Sequence, residues 1–534
     1  MSHDAILQQF IDRHLAVVGP LAREAALANW EMQTVGSDEA RDRAVEMSAR
    51  LSKVYANPDD YALLKSLPHD GISDPLLQRQ HTLLLQHFLS HQMDEKVIEE
   101  IVALELGIED EYNNYRATLR GGPVSDNEID DILIGSDDVA LRREAWEASK
   151  TVGAAVADKV LHLVRLRNRE AQRLGFADYY VMGLALQDLD EMRLFALLDD
   201  LHQQSETLWN DYKAELDARL AARFGIPLQE VRPWHHANRF FQEPGSGEAD
   251  LDRFFADKDL VELTRSFFAQ IGLPIEDLLQ RADLFERENK CQHAFCMDID
   301  RKGDVRVLCN NRPNERWMGT MLHEFGHAVY DKFHDDHLPY LLREPAHTLS
   351  TEAIALFMGR LDKDARWLRH YAGVSAAEAE QIEGQVKREV CDHLLIFMHW
   401  CFVMVHFERA LYADPEQDLN ALWWALVEKY QKVICPAADR PPHSWAAKVH
   451  LATAPVYYHN YLLGEMVASQ LLHHINTTVL KGEGPDALVA SPKVGAYLED
   501  QVFAPGAIRP WEEWLEHATG ERLNPAYFVA QLAE

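Results

Sequence analysis

Trp317-Met318-Gly319-Thr320-Met321-Leu322-His323-Glu324-Phe325-Gly326-His327-Ala328-Val329-Tyr330 is the stretch around which this chain is organised. Its centre reads H-E-x-x-H, and its flanks are apolar and suited to a helix. On a helix, positions i and i+4 sit about 40° apart around the axis, so His323 and His327 leave the same face. Two neutral imidazole nitrogens on one face can share a zinc ion. Glu324 then projects beside them, placed to act on a metal-activated water.

A zinc that does chemistry needs a third protein ligand and one open position. Glu352 is the candidate. It lies in Ser350-Thr351-Glu352-Ala353-Ile354-Ala355-Leu356-Phe357, 25 residues after His327, which leaves room for a turn and the start of a second helix. The apolar neighbours imply burial, and a lone buried carboxylate is costly unless it is paired or coordinates a metal. The plainer alternative is a glutamate at a helix start, satisfied by backbone amides. His347 and His334 are rival ligands with poorer spacing. One zinc per chain is expected, with Glu324 as general base: the metal polarises a scissile carbonyl, and the carboxylate moves the proton to the leaving amine.

The rest of the composition narrows the setting. The chain has 534 residues, is 47% apolar, and carries 86 acidic against 53 basic residues, a net charge of −33. That balance argues against nucleic acid and anionic membranes as partners. The six cysteines contain no C-x-x-C pair and are too sparse for a disulfide scaffold, so reduced thiols in a cytoplasm are expected. Asp4, Asp12, Arg13, Arg23 and Glu24 interrupt the first thirty residues, so no secretory signal is read there. Leu394–Val405, the most apolar run, is too short to span a bilayer and reads as a buried helix.

Helical periodicity dominates. Ile6–Trp30, Leu76–Leu119, Asp138–Leu174 and Met192–Phe224 read as long amphipathic helices. Gly121-Gly122-Pro123, Gly225-Ile226-Pro227 and Pro244-Gly245-Ser246-Gly247 are turn signals between them. Just before the metal motif, His293–Ile299 and Val305–Asn310 flank Asp300-Arg301-Lys302-Gly303-Asp304, the pattern of a β-hairpin. A strand there offers an edge for an extended peptide; the plainer role is to brace the helix. The expected fold is all-α with that one small hairpin. It is a single domain, residues 1–290 mainly helical and 291–534 carrying the zinc and substrate residues, in two lobes around a deep channel.

Several blocks resemble the angiotensin-converting enzyme family of zinc peptidyl-dipeptidases. Gln292-His293-Ala294-Phe295-Cys296-Met297-Asp298 resembles that family's H-A-x-A strand, and the spacing from His293 to His323 fits. The Glu352 helix start is similar to H-E-A-I-G-D. Trp423–Pro436 is close to W-W-x-L-x-x-K-Y-Q-x-I-C-P, and Lys448–Tyr461 resembles K-F-H…P-Y-I-R-Y. The resemblance implies a mostly helical fold with a channel, and release of C-terminal dipeptides from peptides. By position it implies that His293 and His450 hydrogen-bond substrate and intermediate. Ala294 would pair with the peptide, Lys448 and Tyr458 would bind its terminal carboxylate, and Tyr461 would stabilise the oxyanion.

The match has departures. Leu356 stands where the family has a carboxylate supporting a zinc histidine, and Thr351 where it has His. Asn460 replaces a chloride-binding Arg, so chloride dependence is expected to be weak. Gln292 replaces a cysteine, so the hairpin disulfide is not expected. His459-Asn460-Tyr461-Leu462-Leu463-Gly464 is also similar to thimet-type oligopeptidases and thermostable zinc carboxypeptidases. An oligoendopeptidase or single-residue carboxypeptidase is therefore the runner-up. An inactive peptide-binding scaffold is a third reading, disfavoured by the intact Glu324.

Overall fold

The computed structural model describes residues 1–245, 250–436 and 441–533. It is mostly helical. The elements used below are α1 (His3–Val35), α2 (Pro75–Ser90), α3 (Glu95–Asn114), β1 (Ala117–Leu119), β2 (Gly122–Val124), α4 (Val139–Arg173), α5 (Glu191–Phe224), β3 (Phe295–Asp298), β4 (Val305–Leu308), α6 (Glu315–Lys332), α7 (Thr348–Gly359), α8 (Ala376–Ala413), α9 (His450–Thr453) and α10 (Tyr458–His474).

Helix α1 starts where Ser2 accepts the Ala5 amide and stops at Gly36, whose φ of 67° closes the end in the left-handed region. Helices α4 and α5 have the same logic at their starts: the Asp138 and Asp190 side chains accept amides of the first turn. Among the described residues, α8 alone is long and apolar enough to cross a membrane, and most of its apolar window is buried inside the protein.

Two differences from the sequence reading have local causes. The expected Leu76–Leu119 helix is broken: α2 ends near His91, and Asp94 opens α3 by accepting the Lys96 and Val97 amides. Beyond α3 lies a second hairpin, β1–β2, absent from the sequence reading. Its turn is Arg120-Gly121, with φ of 51° and 85°, a two-residue reversal of the kind that matches strand twist. Gly122 and Pro123, read as turn, belong to strand β2. Of the turn signal at residues 244–247, the last two lie outside the described residues.

The chain divides into two compact units, each built from separated segments. The first comprises Met1–Gln92, Ala249–Val386 and Leu463–Phe528. The second comprises Met93–Glu248, Lys387–Leu462 and Val529–Glu534. In the first, α6 and α7 pack face to face, with Leu322, Phe325, Ala328 and Val329 of α6 and Ala353, Ile354 and Ala355 of α7 fully buried. Each such large apolar side chain contributes about 1.5–3 kcal/mol by leaving water. The second unit is built around α4, α5 and the main part of α8, with Trp146, Trp209, Trp400 and Trp445 wholly inside.

Candidate metal centre and substrate residues

Helix α6 begins at Asn314, whose side chain accepts the Trp317 amide at 2.9 Å. Two turns later come His323, Glu324 and His327. The helix crosses α7 closely because glycines line the crossing. A Cβ on Gly326 would come within 3.0 Å of the Ala355 Cα, and one on Gly359 within 3.2 Å of the His323 Cβ. Within the same unit, Gly464 of α10 lies against Glu352, 3.6 Å from its Cβ by the same measure. Small residues at all three points let Glu352 reach the histidine face.

The result is one cluster. Glu352 Oε2 lies 3.9 Å from both His323 Nε2 and His327 Nε2. The potential ligand atoms of the three residues all fall within 4.8 Å of one another. A tetrahedral zinc with bonds of about 2.0–2.2 Å needs its ligand atoms slightly closer than this, a side-chain adjustment. The rivals are elsewhere. The His347 ring caps α7, its Nδ1 accepting the Leu349 amide at 2.9 Å. His334 meets the Tyr330 ring edge to face and is not in the cluster.

The chemistry of these donors fits a metal dication. Burial pushes His323 down to about 4, against an opposing hydrogen bond with the Ala355 backbone. Burial, then neighbouring His323, pushes His327 down to about 3. Both rings are therefore neutral at pH 7, with lone pairs to give. Glu352 is raised by burial. Burial first, and the Glu352 charge second, lift Glu324 to about 8. Two carboxyls and two neutral imidazoles in a half-buried cluster lack a positive charge, which a dication supplies.

The departures of the sequence acquire a structural meaning. His327 Nδ1 is 2.7 Å from the Thr351 hydroxyl. With Nε2 turned toward Glu352, Nδ1 carries the proton and the hydroxyl accepts it. The supporting contacts of the two histidines are thus a hydroxyl and a backbone carbonyl, with no carboxylate in either place.

Beside α6 stands the β3–β4 hairpin, antiparallel with Phe295 opposite Leu308 and Asp298 opposite Val305. It is shorter than the sequence suggested: Ala294 precedes the first strand residue, and His293 is exposed. The far side of β4 is covered by Asp283, which exchanges backbone bonds with Val307 and Cys309. Among the described residues, β4 is the one strand partner of β3. Cys296 and Cys309 of the hairpin are both raised by burial, with the Glu324 charge a further cause.

Lys448, His450, Tyr458 and Tyr461 gather in the second unit. The His450 and Tyr458 rings are 5.3 Å apart, and Tyr458 and Tyr461 5.5 Å. Lys448 is nearly buried, with its Nζ near the Phe240, Trp400 and Tyr458 rings and 2.6 Å from Gln242 Oε1, to which it donates. Burial pushes Lys448 down to about 8, which leaves it mostly charged at neutral pH. Burial, then the Lys448 charge, push His450 to about 4. The Tyr458 hydroxyl accepts from Trp400 Nε1 at 3.0 Å and its acidity is strongly suppressed by burial. Trp423 and Trp424 line a small aromatic pocket with Trp146, Lys150 and Phe240. Gln242 escaped the sequence reading because it lies in no motif and meets Lys448 across about two hundred residues. Asn460 donates to Gln187 Oε1 at 2.7 Å, so its amide is tied into the protein.

Comparison with known proteins places the chain near two peptidase families. Residues 2–235 match the family model described as angiotensin-converting enzyme, and residues 279–534 match the one described as peptidase family M3. The angiotensin-converting enzyme of Rattus norvegicus is 24% identical over 74% of this chain and 32% of its own length. That of Haematobia irritans exigua is 21% identical over 77% of this chain and 72% of its own. That of Sus scrofa is 22% identical over 98% of this chain and 42% of its own. The chain thus spans about a third of the rat protein's length. The likeness to the angiotensin-converting enzyme family read from the sequence blocks is borne out, and both matched families are zinc metallopeptidases.

Proposed function

We propose that this chain, a metallopeptidase relative of the angiotensin-converting enzyme and M3 families, is a zinc-dependent peptidyl-dipeptidase that releases C-terminal dipeptides from oligopeptides. The observation that carries the reading is the convergence of His323, His327 and Glu352 from two helices, with Glu324 beside them. A bound zinc supplies Lewis acidity, which polarises a peptide carbonyl and makes water acidic near neutral pH.

The protein's own groups do the rest. Glu324 takes a proton from the attacking water and gives it to the leaving amine, the role its place beside the two histidines on one helix allows. By the resemblance, His450 and Tyr461 donate to the developing oxyanion, and His293 and Ala294, just before β3, contact the peptide backbone. Lys448, Gln242 and Tyr458 are assigned to the substrate's terminal carboxylate. A mostly charged lysine among aromatic faces makes a charge-assisted bond to an acid that an amide cannot match. Peptides are the expected partners and the cytoplasm the expected setting.

A specific observation keeps a second reading in view. The half bearing the metal cluster matches the M3 model, although the Sus scrofa angiotensin-converting enzyme also aligns over 98% of this chain; the M3 match keeps an oligoendopeptidase as the alternative. The test is competition between free-acid and C-terminally amidated forms of one N-blocked peptide. A strong preference for the acid, reduced in Lys448→Met because the acid is cut more slowly, supports the proposal. Equal internal cleavage of both forms selects the oligoendopeptidase, and stepwise single amino acids select a carboxypeptidase.

A further inference from the structure

Val456 has φ of +53°. A β-branched side chain seldom adopts the left-handed region, so something holds it there. The residue is buried, and both of its backbone polar groups are engaged by side chains distant in sequence. Its N–H donates to Glu408 Oε1 at 2.8 Å, and its carbonyl accepts from Gln187 Nε2 at 2.8 Å. Gly183 presses on it so closely that a Cβ there would lie 2.9 Å from the Val456 side chain. Gln187 in turn accepts from Asn460 of α10. All these residues belong to the second unit.

Val456 sits at the reversal between α9, which starts at His450, and α10, which carries Tyr458 and Tyr461. Glu408 is 3% exposed, and its one hydrogen bond among the described residues is to Val456. Arg167, equally buried, grips the same segment from the other side of the reversal, donating to the Ala452 carbonyl at 2.6 Å and the Leu451 carbonyl at 3.4 Å. A buried acid and a buried base are thus both directed at the backbone of residues 451–456.

We propose that Glu408 is a positioning residue: it holds Val456 in the left-handed conformation that sets His450 against Tyr458 and Tyr461. The consequence for catalysis rests on the reading of His450 and Tyr461 as oxyanion donors. Misplacing donors that act in the transition state lowers kcat more than it raises KM. Gln at 408 keeps an acceptor oxygen for the Val456 amide, whereas Leu does not. Gly at 456 adopts the left-handed region without strain and needs no holder.

The test compares wild type, Glu408→Gln, Glu408→Leu and Glu408→Leu/Val456→Gly, reading kcat and KM on a blocked peptide and hydrogen exchange of the 451–461 amides. Glu408→Leu is expected to lose about tenfold or more in kcat, with KM within about twofold, and to exchange faster across 451–461. Glu408→Gln should retain most of kcat and the protection. The double variant should recover at least about threefold in kcat over Glu408→Leu. Wild-type kcat and exchange in Glu408→Leu, or no recovery in the double variant, overturns the proposal. If Glu408→Leu does not fold, the double variant is still expected to fold and turn over, and its failure to do so is equally fatal. A wild type with no peptidase activity would defeat the functional reading instead, and the exchange pattern alone would then decide the positioning role.

Discussion

Glu324 and Glu352 are both carboxylates in one cluster, yet the geometry separates their tasks. Glu352 faces the two imidazole nitrogens, whereas Glu324 shares their helix and stays beside them. Glu324→Gln is therefore expected to keep the fold and bind zinc while losing about 10²–10⁴-fold in kcat. Glu352→Ala should lose the metal itself, measured by zinc content after dialysis; full occupancy in that variant would break the ligand assignment. The Thr351 hydroxyl lies 2.7 Å from His327 Nδ1, whereas Leu356, where the related family has a carboxylate beside a zinc histidine, has no polar group to offer. Thr351→Val should weaken zinc binding about 10–100-fold in a chelator competition, and Thr351→Ser should restore it. Equal affinity in Thr351→Val would show that the 2.7 Å contact has no part in orienting the ring. The histidine pair was legible in the sequence because side-chain type and helical spacing define it, whereas Glu352 was a candidate on its distance and apolar neighbours, with His334 and His347 as rivals that the structure places outside the cluster. Gln242, Glu408 and Gln187 were not legible, since their roles come from contacts between distant segments.

The metal cluster depends on how closely α6 and α7 approach. Gly326, the fourth residue of the H-E-x-x-H motif, faces the Ala355 backbone so closely that a methyl there would lie 3.0 Å from the Ala355 Cα and fit only with a shift of a few tenths of an ångström. Gly326→Ala is expected to force the two helices apart, costing about 1–3 kcal/mol of stability and lowering zinc affinity together with it. Thermal melting and chelator competition on the same sample check both, and unchanged values would mean the crossing tolerates the shift. Element types were read well wherever periodicity was long: the ends of α4 and α5 fall within a residue of those expected, while α1 runs three residues earlier and five later than its apolar pattern. The α2–α3 break was hidden because it uses no glycine or proline, only the Asp94 cap within an unbroken helical pattern. The β1–β2 hairpin was hidden because three-residue strands carry too little alternation to register. The β3–β4 hairpin was visible, though each strand is shorter than its apolar pattern.

Across the whole molecule, burial holds many histidines neutral. His14, His235, His406 and His450 are each pushed down to about 4, chiefly by desolvation, and His236 and His399 well below their ordinary value. In the unfolded chain each takes up a proton near pH 6.5. Below that pH the unfolded state binds more protons than the folded one through these groups, so their stabilising contribution shrinks as pH falls toward 4. Glu408, raised to about 7, Glu324, raised to about 8, and Asp331 and Asp362, raised well above the ordinary carboxylate range by burial, act in the opposite sense, their contribution fading as pH rises from that range through their folded-state values. The histidines outnumber these carboxyls, so the metal-free protein is expected to melt at lower temperature at pH 5 than at pH 6.5. Calorimetry in chelator checks this, and a higher melting temperature at pH 5 would contradict it. The division into two units built from interleaved segments was not legible in the sequence, because each unit is assembled from segments far apart in the chain.

The central claim is tested most directly by the mass spectrum of products from one N-blocked, free-acid peptide incubated with the zinc-loaded protein, with Glu324→Gln run beside it. The account predicts successive loss of C-terminal dipeptides by the wild type and almost no product from the variant. Internal fragments or single amino acids as the first products would contradict the assigned register, and equal turnover by Glu324→Gln would contradict the mechanism itself.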